Sequence, residues 1–417
     1  MHKKQTFKNG VRLITAPLKE TQTASLLVLV KVGSRQEQSK IYGISHFVEH
    51  LMFKGTIRRP TTLDLSKELD GIGAEYNAFT SKDVTGYYIK ADARHLSLAI
   101  DMLSDMLLNS KFDAEEIEKE KGVIVEEINM YEDNPLMFVE EMLEETVFKA
   151  SQLGHQIAGS RETVRAASRQ SLNSYRERFY NGNNVVIGLS GRFTPRHVKE
   201  IKEKFSFVAR KKSAIKKNTI KQTAPRVVLK YKKTEQVQLA LGFPAFSHYD
   251  KRAYALQLLA VILGGNMSSR LFINVREKNS LAYFIRSWAN LYEDNGAFII
   301  QAGLDKTRID FAIQAIKNEL SKIKNHITAE ELSRAKEFIS GKTALDLEDS
   351  MSLAQYWANL ELFNKPLLTP EEKLKKIMAV KLSDVKKAAQ TVLNLKRANL
   401  AIIGPFKDKA KFLKLIK

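Results

Sequence analysis

The chain contains no cysteine. That excludes a disulfide framework, a thiolate nucleophile and every Cys-ligated zinc or iron–sulfur site. Any metal must be held by His, Asp or Glu. Proline (9) and glycine (20) are too sparse in 417 residues for low-complexity linkers or fibrous repeats. Long apolar runs are missing as well. The longest, residues 24–32, is interrupted by Lys31 and has strand length, well short of the 18 or so residues that span a bilayer. No membrane partner is expected. The basic start of the chain has no apolar stretch of the kind a leader peptide carries, so a cytoplasmic address is expected.

What is present is ordinary for a soluble globular protein: 44% hydrophobic and 27% charged residues. At about 150 residues per domain the length allows two or three domains. The net charge is +20, which on its own admits a nucleic-acid partner. The lysines are scattered rather than massed beside aromatics, so a lysine-rich solvated surface is favoured and no nucleic acid is expected. The densest basic cluster, 210–217, falls in a polar segment that reads as a connection ending at Pro225.

The chain reads as two similar halves. Ala-Glu-Glu-Ile-Glu-Lys-Glu-Lys at 114–121 returns as Ala-Glu-Glu-Leu-Ser-Arg-Ala-Lys at 329–336, 215 positions later. Each is preceded by an amphipathic helical pattern, from Leu98 and from Phe311, and before that by an alternating strand opened by Gly86 or Gly296. The period is too long for a solenoid. The pattern predicts an α+β protein of two homologous domains, each an antiparallel-rich sheet with helices packed on one face. The expected division is 1–208, a basic linker 209–226, and 227–417. The first half should open with strands over 5–17 and 24–32. A helix over 44–54, stopped by Gly55, should follow.

That helix carries His46-x-x-Glu49-His50. Residues i and i+4 share a helix face, so both imidazoles can reach one ion. Glu49 lies beside them without having to ligate, where a general base belongs. With 8 histidines in the chain, roughly 0.02 such matches arise by chance. The plain alternative is two histidines on an amphipathic helix with a solvated glutamate. A two-His site needs a third ligand, and the helical stretch from Glu115 offers one. On a helical wheel Ile117, Ile124, Ile128 and Tyr131 form an apolar stripe. Glu120 and Glu127 border that stripe, whereas Glu126 points away. The wheel selects Glu127 as ligand and places Glu120 to hydrogen-bond a ligand. A helix with a merely charged rim would look the same.

The inverted order His-x-x-Glu-His is the inverzincin motif. With Glu127 lying 77 residues after His50, the whole chain resembles the M16 family of zinc metallopeptidases (pitrilysin, insulin-degrading enzymes, mitochondrial processing peptidase) in its short two-domain branch. The resemblance implies a LuxS/MPP-like metallohydrolase fold and one Zn²⁺ per subunit on His46, His50 and Glu127. It makes Glu49 the general base and Glu120 a supporting catalytic carboxylate. Tyr-Asn-Ala-Phe-Thr-Ser at 76–81 resembles the family's edge strand beside the zinc, so Asn77, Ala78 and Phe79 would line an extended peptide. The segments from Gly264 and Arg276 resemble the C-terminal signature, which makes Arg276 and Tyr283 ligands of the substrate backbone or oxyanion. Peptide substrates and a clamshell homodimer are implied, or a heterodimer with a paralogue. Relatives that keep the fold without zinc supply the runner-up reading, a non-catalytic structural subunit. With an offset of 215, His46, Glu49, His50, Glu120 and Glu127 map to Val261, Gly264, Gly265, Ala335 and Lys342, so the second half cannot repeat the site.

Overall fold

The computed structural model describes residues 2–210 and 220–417. Most of the basic cluster at 210–217 lies outside the described residues. The strands in chain order are β1 (Lys3–Thr6), β2 (Arg12–Pro17), β3 (Thr23–Val30), β4 (Glu75–Thr80), β5 (Thr85–Asp92), β6 (Val185–Gly191), β7 (Arg226–Tyr231), β8 (Gln236–Ala245), β9 (Ala282–Leu291), β10 (Gly296–Asp305) and β11 (Asn399–Gly404). The helices that shape the site and its copy are α1 (Ile44–Leu51), α2 (Leu96–Asn109), α3 (Ala114–Asp133), α4 (Pro135–Val147), α5 (Ala253–Gly264), α6 (Ile309–Asn325), α7 (Ala329–Leu347) and α8 (Ser350–Leu362).

Two compact units result, and they are not simple halves of the sequence. The first comprises Met1–Ile128, His155–Lys216 and Thr343–Leu367; the second comprises Asn129–Gly154, Lys217–Lys342 and Leu368–Lys417. The first unit holds a six-stranded mixed sheet in the order β1-β2-β6-β3-β5-β4, antiparallel except for the parallel pair β2–β6. The second holds a five-stranded sheet in the order β7-β11-β8-β10-β9, in which β11 and β7 are parallel. The two orders superimpose strand for strand once β1 is set aside. Helices α3 and α7 begin 215 positions apart, as do α4 and α8, so the duplication seen in the sequence is a duplication of structure.

The side chains of β3 explain how the first unit packs. Leu26, Val28 and Val30 join one apolar cluster with α1, α2 and α3. Leu27 and Leu29, on the opposite face, pack with Ala354, Ala358 and Leu362 of α8. A strand buried on both faces needs apolar residues at every position, and that is why 26–30 shows no alternation. Helices thus cover one face as expected, and a single helix from the other half of the sequence covers the second. Helix α8 lies so close to β6 that a Cβ at Gly188 would stand 2.7 Å from the Ala354 carbonyl oxygen. In the second unit α4 plays the same part, with Phe138, Val139 and Leu143 against Ala297, Ile299 and Ala401.

Local expectations are corrected in three places. The run 5–17 is not one strand: the chain turns between β1 and β2, with the Phe7 amide donating to the Val11 carbonyl at 2.8 Å and Gly10 at φ +90°. Asn9-Gly10 is a hairpin turn signal, because glycine accepts positive φ without a Cβ penalty. The helix expected over 44–54 ends at Leu51, and residues up to Gly55 (φ +106°) form turns. Strand 24–32 closes two residues early, at Val30. Among the described residues no helix is long and apolar enough to cross a membrane.

Candidate metal centre

Helix α1 is short and nearly immersed: seven of its eight residues are buried. Ile44, Phe47, Val48 and Leu51 pack into the core under the sheet, which fixes the rotation of the helix. His46 and His50 then share the remaining face, at i and i+4. Helix α3 runs past them with Ile117, Ile124 and Ile128 buried in the same core. This is the stripe read on the helical wheel. It leaves Glu126 exposed, Glu127 partly buried and Glu120 buried.

Three atoms converge. His50 Nε2 lies 3.1 Å from His46 Nε2, and Glu127 Oε2 lies 3.5 Å from each. A tetrahedral ion with bonds of about 2.0–2.1 Å separates its ligand atoms by about 3.3–3.4 Å, so this triangle has the size that zinc requires. Two neutral imidazoles and one carboxylate are also a donor set that zinc prefers, with a fourth position left for water. Among the described residues, His46, His50 and Glu127 form the cluster of potential metal ligands.

The surroundings prepare these ligands. His50 Nδ1 lies 2.7 Å from Glu120 Oε1. A carboxylate only accepts, so the proton sits on Nδ1 and the Nε2 lone pair faces the centre. The other Glu120 oxygen takes an ion pair from Lys54 at 2.6 Å. Burial works against the charge on Glu120, yet the bonds from His50 and Lys54 hold its carboxyl below the usual range. Burial likewise opposes a charged His50, but Glu120, with Glu49 and Glu127, outweighs it and raises the imidazole's pKa. For His46 burial prevails, helped by His50, and pushes the pKa down to about 3, so that ring is neutral. Its buried Nδ1 has no hydrogen-bond partner among the described residues. Burial raises Glu127.

Glu49 does not join the triangle. It sits one residue before His50 and receives a hydrogen bond on Oε2 from the Thr80 hydroxyl, at the end of β4. Burial raises its carboxyl above the usual range, against the pull of Thr80 and His50. Among the described residues, strand β4 is the outer strand of its sheet, paired with β5 alone. It therefore offers an edge beside Glu49. Ala78 packs toward the α1 side. Asn77 is exposed, and its side-chain oxygen accepts the Ala78 amide at 2.8 Å. Phe79 points the other way, into the cluster that α8 covers; a Cβ at Gly86 would collide with its ring. The side chain of Phe79 thus belongs to the packing of the sheet.

Arg276 and Tyr283 belong to the second unit. Arg276 lies in a single π-turn, Phe272–Glu277, with its guanidinium over the Phe272 ring at 4.6 Å from the centroid. Tyr283 stands near the start of β9, itself an edge strand, and leaves 73% of its surface exposed. In the copy of the metal centre, Val261 and Ala335 are part of the apolar core, so packing has taken the place of ligation. Lys54 and Thr80 carried no sequence signal for their roles, since both contacts depend on tertiary structure. Glu37, considered below, was equally silent.

Comparison with known proteins agrees with the fold. Residues 12–161 match the family model "Insulinase (Peptidase family M16)", and residues 166–339 match "Peptidase M16 inactive domain". An uncharacterized zinc protease of Streptomyces coelicolor is 34% identical over 420 residues, covering 98% of this chain and 90% of that protein. The uncharacterized zinc protease YmxG of Bacillus subtilis is 35% identical over 406 residues, covering 97% and 98%. Among solved structures, a protease from Helicobacter pylori matches with a TM-score of 0.90 at 23% identity, covering 97% of this chain and 99% of that one. A chain of complex III₂ from Candida albicans matches with a TM-score of 0.85 at 19% identity over 99% of both; at these identities both show the fold alone. The chain belongs to the M16 peptidase family.

Proposed function

We propose that this protein is a zinc-dependent endopeptidase acting on short or unfolded peptides. The observation that carries the reading is the triangle of His46 Nε2, His50 Nε2 and Glu127 Oε2, with edges of 3.1 and 3.5 Å, backed by Glu120 on His50. Relatives named zinc proteases support it. His46, His50 and Glu127 would hold one zinc ion, which supplies Lewis acidity toward a water molecule and the scissile carbonyl. Glu49 takes the proton of the attacking water and returns it to the leaving amine. A carboxyl raised by burial and steadied by the Thr80 hydroxyl suits that exchange. Glu120 holds the His50 tautomer and orientation. The free edge of β4 takes an extended peptide as an added strand along Asn77–Thr80, through its backbone. This explains why Phe79 can be committed to packing.

Arg276 and Tyr283 bind the substrate backbone or the developing oxyanion. Tyr283, 73% exposed on an edge strand, is accessible to a substrate. In the dimer that the short branch of the family implies, they serve the centre of a partner subunit inside a closed chamber. The intact ligand set argues against the non-catalytic alternative. The test is a peptide-library digest with wild type and with Glu49→Gln and Arg276→Ala. Each variant should be inactive alone. After dissociation and random reassociation, half of the dimers pair unlike subunits and each restores one site, so activity should return to about a quarter of wild type. Failure to recover, with subunit exchange shown directly, would place the whole site in one chain. Cleavage by pure Glu49→Gln would remove Glu49 from its role.

A further inference from the structure

Glu37 is a buried carboxyl group with no part in the chemistry above; 2% of its surface is exposed. Its Oε2 accepts the Gly43 amide at 2.7 Å and its Oε1 accepts the Ser45 amide at 2.8 Å. These amides open α1, the helix that carries His46 and His50. The first amides of a helix have no partner within it and must be satisfied from outside. Here the N-cap residue cannot help: it is Gly43, in the left-handed region at φ 91°, with no side chain to offer. Glu37 reaches back from six residues upstream and caps both amides, one with each oxygen. Burial pushes its carboxyl up to about 8 against the pull of Ser45, Gly43 and the Lys82 charge, so the fold keeps this group at a cost.

The segment that holds Glu37 is itself anchored to the turn after β4. The Ser34 amide donates to the Ser81 carbonyl at 3.1 Å and the Arg35 amide to the Lys82 carbonyl at 3.0 Å. The buried Arg35 side chain meets Asp83 at 3.1 Å. Segment 33–37 therefore fastens the start of α1 and the strand that brings Thr80 to Glu49 to one another. From the other side, Ser45 Oγ is 2.6 Å from Tyr175 Oη. The duplicated half gives an internal comparison. With the same offset of 215, Glu37 corresponds to Arg252, the N-cap residue of α5. In that copy Asp250 Oδ1 accepts the Arg252 amide at 2.9 Å, so the helix that lacks metal ligands is capped locally, from two residues upstream rather than six.

We infer that Glu37 is a positioning residue of the metal centre: by capping Gly43 and Ser45 it fixes the axial position and rotation of α1, and through them the approach of His46 and His50 to Glu127. The inference rests on reading His46, His50 and Glu127 as the metal ligands. His46, in the first turn, should respond most when the cap is lost. Glu37→Gln places an amide NH₂ against one of the two backbone N–H groups and keeps only one acceptor.

The test is cobalt binding to the full-length apoprotein. Competition with a chelator gives the affinity, and the visible absorption of bound Co²⁺ reports the ligand field. Wild type should bind one Co²⁺ with a four-coordinate spectrum. Glu37→Gln should bind about tenfold more weakly, the lower end of the range for lost support of a ligand, with an altered spectrum. Tyr175→Phe deletes a buried hydrogen bond of the same helix end but leaves the cap. It should lower the melting temperature and leave affinity and spectrum unchanged. Should Glu37→Gln fail to fold, Glu37→Asp, too short to reach both amides, is read in the same way. Wild-type affinity and spectrum in a folded Glu37 variant, or an equal change in Tyr175→Phe, would overturn the inference. Absence of Co²⁺ binding by wild type would instead overturn the metal reading beneath it.

Discussion

Replacing Glu120 with Gln tests how the ligand set is held together. The substitution keeps shape and one acceptor but removes the charge that faces both His50 Nδ1 at 2.7 Å and Lys54 at 2.6 Å. Two consequences follow. A carboxylate behind an imidazole raises its basicity and fixes its tautomer, and loss of such a partner weakens metal binding about 10–100-fold. That corresponds to roughly 1.4–2.7 kcal/mol. Because Glu120 is buried and also neutralises Lys54, the upper half of that range is expected. The second consequence is on protons. Glu120 leads the groups that raise His50 above its ordinary pKa, against burial. In metal-free Glu120→Gln the His50 pKa should fall, since burial then acts with less opposition. Zinc competition with a fluorescent chelator measures the first effect, and an NMR titration of the imidazole protons measures the second. Unchanged zinc affinity together with an unchanged His50 pKa would mean that Glu120 supports neither the ligand nor its charge. Weakened zinc with an unmoved pKa would mean the carboxylate acts only through packing.

Other outcomes are equally definite. Glu127→Gln should weaken zinc binding strongly, whereas Glu126→Gln, on the exposed side of α3, should stay close to wild type; the reverse result would mean the helix register is wrong. Glu49→Gln should retain stoichiometric zinc by metal analysis while losing hydrolysis, because Glu49 lies outside the triangle. Zinc affinity should fall as pH is lowered through the raised His50 pKa, because the protonated ring cannot ligate; calorimetry in buffers of different ionisation enthalpy should show a proton released on binding below that pKa. Trp357→Ala, emptying a buried site on the α8 face of the first sheet, should cost about 3–5 kcal/mol in denaturant unfolding. A loss below 1 kcal/mol would mean that α8 does not secure that face.

The parts of this site that were legible in the sequence are those carried by helical periodicity. His46 and His50 had to share a face at i and i+4, and the isoleucines of α3 oriented Glu127 inward and Glu126 outward, because burial of a stripe fixes a helix's rotation. The duplication was legible because α3 and α7 both begin with Ala-Glu-Glu followed by a branched aliphatic residue, four of their first eight residues being identical. Features made by contacts between distant segments were not. Lys54 on Glu120, Thr80 on Glu49 and Glu37 on the start of α1 depend on where a sheet and two helices meet. Two local signals were present and went unused. Asn9-Gly10 marked the β1–β2 turn, and the unbroken apolar run 26–30 marked a strand covered on both faces, hence a helix such as α8 on the far side. The early end of α1 at Leu51 had no such mark, because Met52 and Lys54 are good helix formers, Phe53 is no breaker, and only Gly55 announces a stop.

If His46, His50 and Glu127 hold one catalytic zinc, activity depends on the metal they bind. That dependence is tested most directly by measuring metal content and peptide hydrolysis on the same sample through chelation and stepwise return of zinc. One zinc per chain is expected, with activity that disappears as the metal is removed and returns in proportion to zinc until one equivalent is bound. Full hydrolysis by protein shown to be free of metal would contradict that dependence.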